Sequence, residues 1–162
     1  MQIRHATLND VSAIARIHVT CWHETYTGII PESYLAQLDI IQKQIMWNKI
    51  LNANQTVFIA EINGQAIGFA NAGKNNDNNT PYPGELYTLY VLKSAHKIGI
   101  GKNLFMTAKS NLLNDGLFPF ITHVLVDTPA LGFYRHMGAE IVGEHLIDFN
   151  GLALKELQLL WK

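Results

Sequence analysis

A chain of 162 residues is long enough to bury one core and too short for two comfortable ones. Its 48% apolar and 15% charged residues are a globular balance, which excludes a disordered chain. Twelve Lys and Arg against thirteen Asp and Glu leave no net positive field to gather nucleic acid or an anionic membrane, so the expected partner is a small molecule.

Cys21 is the only cysteine, so no internal disulfide can form. The stretch MQIRHATLNDVSAI holds no apolar run of signal-peptide length, and no window approaches the roughly 18 apolar residues of a membrane span. The expected location is the cytoplasm.

Gln2 to His5 suit a short strand, and Thr7 with Asp10 suits a capped helix start, Asp10 taking the capping-box position. Val11, Ile14, Ile17, His18, Cys21 and Trp22 recur at spacings of three and four, which predicts one buried helical stripe. After a break at Gly28 and Pro31, the residues Tyr34, Leu35, Leu38, Ile41, Ile45, Met46 and Ile50 predict one or two further helices. TVFIAEI and QAIGFANAG read as strands joined at Asn63-Gly64, a pair that tolerates the positive φ of a tight hairpin. KNNDNNTPYPG is a loop. Glu85 to Val91 is predicted as a strand, Gly99 to about Asp115 as a helix, Phe120 to Val126 as a strand and Pro129 to His136 as a short helix. A closing hairpin turns at Asn150-Gly151. The fold class is therefore α/β of the α+β kind: a mixed sheet flanked by helices, in one domain over 1–162, because the βαβ unit needs a parallel pair and the Asn-Gly turns need antiparallel ones.

Gly99-Ile100-Gly101 stands between a strand and a helix. A P-loop fails, since its first glycine would fall on His96 and Lys102 is followed by Asn103. A dinucleotide fingerprint fails as well, with Leu104 where its third glycine or alanine belongs. What survives is a helix start whose main-chain N–H groups an anion can approach past two missing Cβ atoms, or else a plain structural turn.

LYVLKSAHKIGIGKNLF resembles the pyrophosphate motif of the GNAT superfamily of acyl-CoA-dependent N-acetyltransferases, Arg/Gln-x-x-Gly-x-Gly/Ala after a Leu-Tyr-Val strand. Asp127, Ala130, Phe133, Tyr134 and Gly138 are similar to the second family motif, Asn-x-x-Ala-x-x-Phe-Tyr-x-x-x-Gly-Phe, with Ala139 where Phe is usual. CWHETYTGIIPESYL is similar to the Trp…Tyr-x-Gly-x-x-Pro segment of many bacterial members. Three further departures stand out: His96 for Arg or Gln, Lys93 for Pro, and Asp127 for Asn.

The resemblance implies a mostly antiparallel sheet of about seven strands around a central parallel pair that splays to admit the cofactor. It implies acetyl-CoA as acyl donor, direct transfer to a primary amine in a ternary complex, and no metal. Cofactor contacts would come from Leu89, Tyr90 and Val91, from His96, Lys97, Ile98, Gly99, Ile100, Gly101 and Lys102, and from Asp127 and Phe133. Glu85 is the candidate base, acting directly or through a water, against the plainer reading of a strand-edge carboxylate. Tyr134 is the candidate acid, because a phenol of pKa about 10 can protonate a thiolate whose conjugate acid lies near 8.5. Trp22, His23, Tyr26 and Tyr87 are the candidate acceptor pocket, with core packing the rival role for Trp22. The acceptor, a small amine or a peptide, is left open, as is a homodimer through the closing hairpin. The near-neutral chain gives no sign of an acidic pocket. The rival functions are a CoA-binding or regulatory domain with weak chemistry, and a small α/β protein whose glycines only make a turn.

Overall fold

The computed structural model describes residues 1–162. Seven strands form one sheet: β1 (Gln2–His5), β2 (Val57–Ile62), β3 (Gln65–Lys74), β4 (Gly84–Val91), β5 (Phe120–Leu125), β6 (Glu140–Phe149) and β7 (Leu152–Trp161), in the order β1-β2-β3-β4-β5-β7-β6. All neighbours are antiparallel except β4 and β5, the parallel pair expected from the sequence. Five helices flank it: α1 (Val11–Tyr26), α2 (Glu32–Leu35), α3 (Ile40–Asn52), α4 (Ile100–Asn114) and α5 (Ala130–His136).

Local chemistry places most of these boundaries. Asn63 and Asn150 have φ of 51° and 53°, each followed by a glycine with positive φ, the geometry a two-residue hairpin turn requires. The Thr7 amide donates to Asp10 Oδ2 (2.7 Å), and the capping box holds a 3-10 turn that runs into α1. Asp10 also receives both ends of the Arg4 guanidinium (2.8 and 2.9 Å), which holds its carboxyl down at about 2, and Arg4 reaches on to Glu61. One arginine thereby joins β1, β2 and the start of α1.

Alternation along β2 and β3 sends Phe58, Ala60, Ala70 and Ala72 to the face covered by α4, and Val57, Ile59 and Phe69 to the face covered by α1 and α3. The α1 stripe packs as expected through Ile14, Ile17, His18 and Cys21, with Val11 and Trp22 half-buried at its ends. The further helices expected after Pro31 are present as α2 and α3, but not every apolar residue that marks α3 faces the core. Ile41 and Ile45 are 64% and 46% exposed, and the helix instead turns Trp47 inward with Met46, Ile50 and Leu51 beside it. Two apolar stripes competed on that helix, and the one carrying the largest side chain faces the core.

Trp47 Nε1 donates to His18 Nδ1 (3.1 Å), and the imidazole lies among Trp22, Trp47, Phe69 and Tyr90. Burial, with a smaller push from Lys43, lowers its pKa to about 3, so His18 is neutral in the folded chain and protonates readily only when unfolded. The unfolded state therefore binds the extra proton between about pH 6.5 and 3, and stability falls as pH drops through that window. Urea unfolding between pH 6 and 4 is expected to lose up to about 1.4 kcal/mol per pH unit, and the slope should flatten in His18→Gln.

Candidate functional site

The site begins where β4 and β5 part. They pair only at Gly84↔Phe120 and Glu85↔Ile121. At that closed end the strands are tight: a Cβ on Gly84 would lie 2.1 Å from the Leu117 carbonyl oxygen, so only glycine fits. One residue further on, the buried Thr122 hydroxyl donates to the Leu86 carbonyl (2.7 Å), satisfying an acceptor whose strand partner has been lost.

The β3–β4 register shifts by one between Asn71↔Thr88 and Ala72↔Leu86, which makes Tyr87 an extra residue, a β-bulge. A one-residue slip exchanges the faces of everything beyond it. Leu86 therefore packs on the α4 side, as do Leu89 and Val91 past the bulge, while Tyr90 joins the core beneath α1. The Leu92 amide bonds to Ile67 O, so ladder alternation turns the main-chain groups of Tyr90 toward β3 and those of Leu89 and Val91 toward the open side of β4. Of the three expected cofactor-strand residues, two offer their main chain to the gap. Tyr90 does not.

Beyond β4 the chain passes through a 3-10 turn (Lys93–Ala95) and a loop into α4. His96 donates from Nε2 to the Val91 carbonyl (2.8 Å), tying the loop back to the strand. The Lys93 amide donates to Glu24 Oε2 on α1 (2.8 Å), a bond that the usual proline could not make. Lys97 and Gly99 take left-handed φ of 63° and 87°, and the N–H groups of residues 97–102 donate to no atom of the protein. Successive free amides at the start of a fifteen-residue helix, with Lys93, Lys97 and Lys102 exposed around them, form a cradle for an anion such as a pyrophosphate. Ile98 is exposed, Ile100 is buried, and a Cβ at Gly101 would just reach van der Waals contact (3.6 Å) with the Phe133 ring.

On the α1 side of the gap lies a polar row. Glu85 Oε1 is 3.6 Å from His123 Nδ1, and His123 Nε2 is 3.3 Å from Gln158 Nε2. His145 Nε2 meets Glu156 Oε2 at 2.8 Å, and the two imidazoles stand edge-on at 5.7 Å. Glu85, followed by Glu156, raises the His123 pKa against the opposing effect of burial, with Asp77 adding its charge from the β3–β4 loop. Two carboxylates from the strands, Glu85 and Glu156, and the more remote charge of Asp77 thus favour the charged form of one imidazole in a chain of net charge −1.

The expected acceptor residues divide. Trp22 and Tyr26 pack edge-on (4.9 Å), Tyr34 stacks on Trp22, and the Trp22 indole donates to the Tyr90 hydroxyl (2.9 Å). Burial, and secondarily Glu156, pushes the Tyr26 phenol up to about 12. His23 is exposed, and Tyr87 gives its hydroxyl to the Lys74 carbonyl beside Glu85. Asp127 is exposed in the turn before α5. Tyr134 is buried on the α4 side against Phe133 and Trp161, and burial followed by Tyr26 raises its pKa well above the ordinary phenol value. Cys21 is buried, its thiol pushed up to about 12, which suits packing. His123, His145, Glu156, Gln158, Tyr34 and the unpartnered buried hydroxyl of Thr88 were not expected at the site. Only the alternation of FITHVL, which separates His123 from the core residues beside it, hinted at any of them.

The profile of the Acetyltransferase (GNAT) family matches residues 13–139. The chain belongs to the GNAT family. It is 32% identical over 160 residues to the uncharacterized N-acetyltransferase YuaI of Bacillus subtilis, covering 98% of this chain and 91% of that one. Among solved structures, the GNAT fold here is similar to ribosomal-protein-alanine N-acetyltransferase from Brucella melitensis, with a TM-score of 0.80 at 22% identity over 99% of both chains. It is also similar to yncA, a putative acetyltransferase of Salmonella typhimurium solved with acetyl-CoA, with a TM-score of 0.76 at 17% identity over 100% of this chain and 93% of that one.

Thr122→Val removes the donor that serves the Leu86 carbonyl while keeping the side-chain shape. It is expected to cost about 1–3 kcal/mol in urea unfolding, whereas Thr122→Ser, which keeps the hydroxyl, should lose less.

Proposed function

We propose that residues 1–162 form one catalytic domain that transfers an acetyl group from acetyl-CoA to a primary amine by direct attack in a ternary complex. The observation that carries this reading is the gap between β4 and β5, with Glu85 at its closed end and the free amides of residues 97–102 at its open end. The acetyl-CoA bound in the Salmonella protein of like fold supports it.

Bound acetyl-CoA supplies an activated acyl thioester. The Leu89 and Val91 main chain, free of β5, is suited to bind a pantetheine arm, and an amide donor there polarises the thioester carbonyl at little reorganisation cost. The free amides of residues 97–102 and the side chains of Lys93, Lys97 and Lys102 hold the pyrophosphate, His96 ties the loop back to Val91, and Phe133 lies beside the Gly101 position from α5. Asp127, exposed at the turn before α5, lies outside this cradle in the reading.

An alkylamine of pKa about 10.4 arrives protonated, and Glu85 takes that proton before attack. The attacking nitrogen sheds a second proton as the amide forms, and the departing thiolate takes one up, so these two transfers balance. Tyr134 keeps its hydroxyl protonated throughout the working pH range, since burial holds its pKa high, and it donates to the sulfur as the thioester breaks. Trp22, Tyr26 and Tyr34 wall the acceptor side.

Incubation with acetyl-CoA and a panel of small amines and peptides, read by thiol release, is expected to show acceptor-dependent turnover. Tyr134→Phe should lower kcat by about 10²-fold or more with acetyl-CoA binding retained in calorimetry. Turnover unchanged in that variant would remove Tyr134 from the mechanism, and thiol release independent of every amine would sink the transfer reading.

A further inference from the structure

The row on the α1 side of the gap contains a second titratable group in contact with the proposed base. Glu85 pairs with Ile121 on the last rung of the parallel ladder, and His123 is two residues further along β5 on the same face. From there the imidazole spans the point of parting, with Glu85 on one side and Gln158, its partner on β7, on the other. Side-chain contact between β4 and β5 thus continues on this face past the end of main-chain pairing. We propose that His123 is a positioning residue for Glu85, holding the carboxylate at the closed end of the gap and making its availability to the acceptor amine depend on the protonation of the imidazole. This rests on the reading of Glu85 as the base.

The physics has a definite direction. An imidazolium 3.6 Å from Glu85 engages the carboxylate and competes for it with the ammonium of the acceptor amine. Neutral His123 leaves the carboxylate free for the amine. The groups that face His123 are Glu85 from β4, Glu156 and Gln158 from β7, His145 from β6 and Asp77 from the β3–β4 loop. The three carboxylates favour the imidazolium, so its titration lies above that of a free histidine. Glu156 also meets His145 at 2.8 Å, so its charge is shared between the two imidazoles. With saturating acceptor, kcat should rise with pH as His123 deprotonates.

Two arms test this. In the first, the His123 ring is titrated by NMR in the intact protein without cofactor or acceptor, and its pKa is expected to drop by about half a unit or more in Glu85→Gln. In the second, His123→Gln, which keeps hydrogen-bonding capacity and removes the charge, should move the acidic limb of kcat down by about one pH unit or more, with KM for acetyl-CoA within about twofold of wild type. A His123 titration indifferent to Glu85→Gln, or an acidic limb that stays in place in His123→Gln, overturns the coupling. Full activity in Glu85→Gln would instead overturn the base reading and this proposal with it, an outcome separable because the NMR arm needs no turnover.

Discussion

The parting of β4 from β5 is the constraint on which the rest of this structure depends. Parallel strands ordinarily stay together because each frees main-chain groups that the other satisfies. Here the pair closes at Gly84, where the Leu117 carbonyl leaves room for no Cβ, and opens within two residues because Thr122 offers a hydroxyl to Leu86 O in place of a main-chain donor. The bulge at Tyr87 adds twist at the same point and re-aims the strand beyond it. Unpaired β4 main chain next to a helix start with free amides is the result, and both are groups that attract an extended, anionic ligand.

The gap also divides the chemistry between two faces. Leu89, Val91, Phe133 and Tyr134 line up with the α4 core, while Glu85, His123, Glu156, Trp22, Tyr26 and Tyr90 belong to the α1 side. A reaction between a thioester and an amine needs its two substrates to meet across such a divide. Glu24 links two segments distant in sequence: from α1 it accepts the Lys93 amide at the head of the loop that leads into α4. Lys93 differs from the proline usual in the family, and the bond to Glu24 is the structural consequence of that difference.

Net charge proved a poor guide to local charge. Twelve positive and thirteen negative side chains average to near neutrality along the chain, yet three carboxylates favour the charged form of His123. Glu85 and Glu156 come from β4 and β7, far apart in the chain, and only the strand order β4-β5-β7 brings both to His123; Asp77 adds its charge from the β3–β4 loop. A second histidine, His18, has the opposite fate, since aromatic rings and the Trp47 indole surround it with nothing to stabilise a proton.

What the sequence determined by itself was local. The Asn-Gly turns, the Thr7 cap, the amphipathic stripe of α1 and the glycine at the start of α4 each depend on residues within a few positions of one another, and the GNAT motifs lie in contiguous stretches. These were legible, and with them the strand count and the position of the helix start whose amides are free. The Glu85–His123–Gln158 contact, the direction in which Leu89 and Val91 turn their main chain, and the choice of Trp47 over Ile41 and Ile45 were decided only by tertiary structure. The first depends on strand order and the last on which stripe of α3 packs best, while the direction of Leu89 and Val91 depends on register: a bulge displaces side chains by one position, and period-two alternation converts that single step into a change of face. No local preference of Tyr87 announces the step, because it arises from how β4 must lie between β3 and β5 at once.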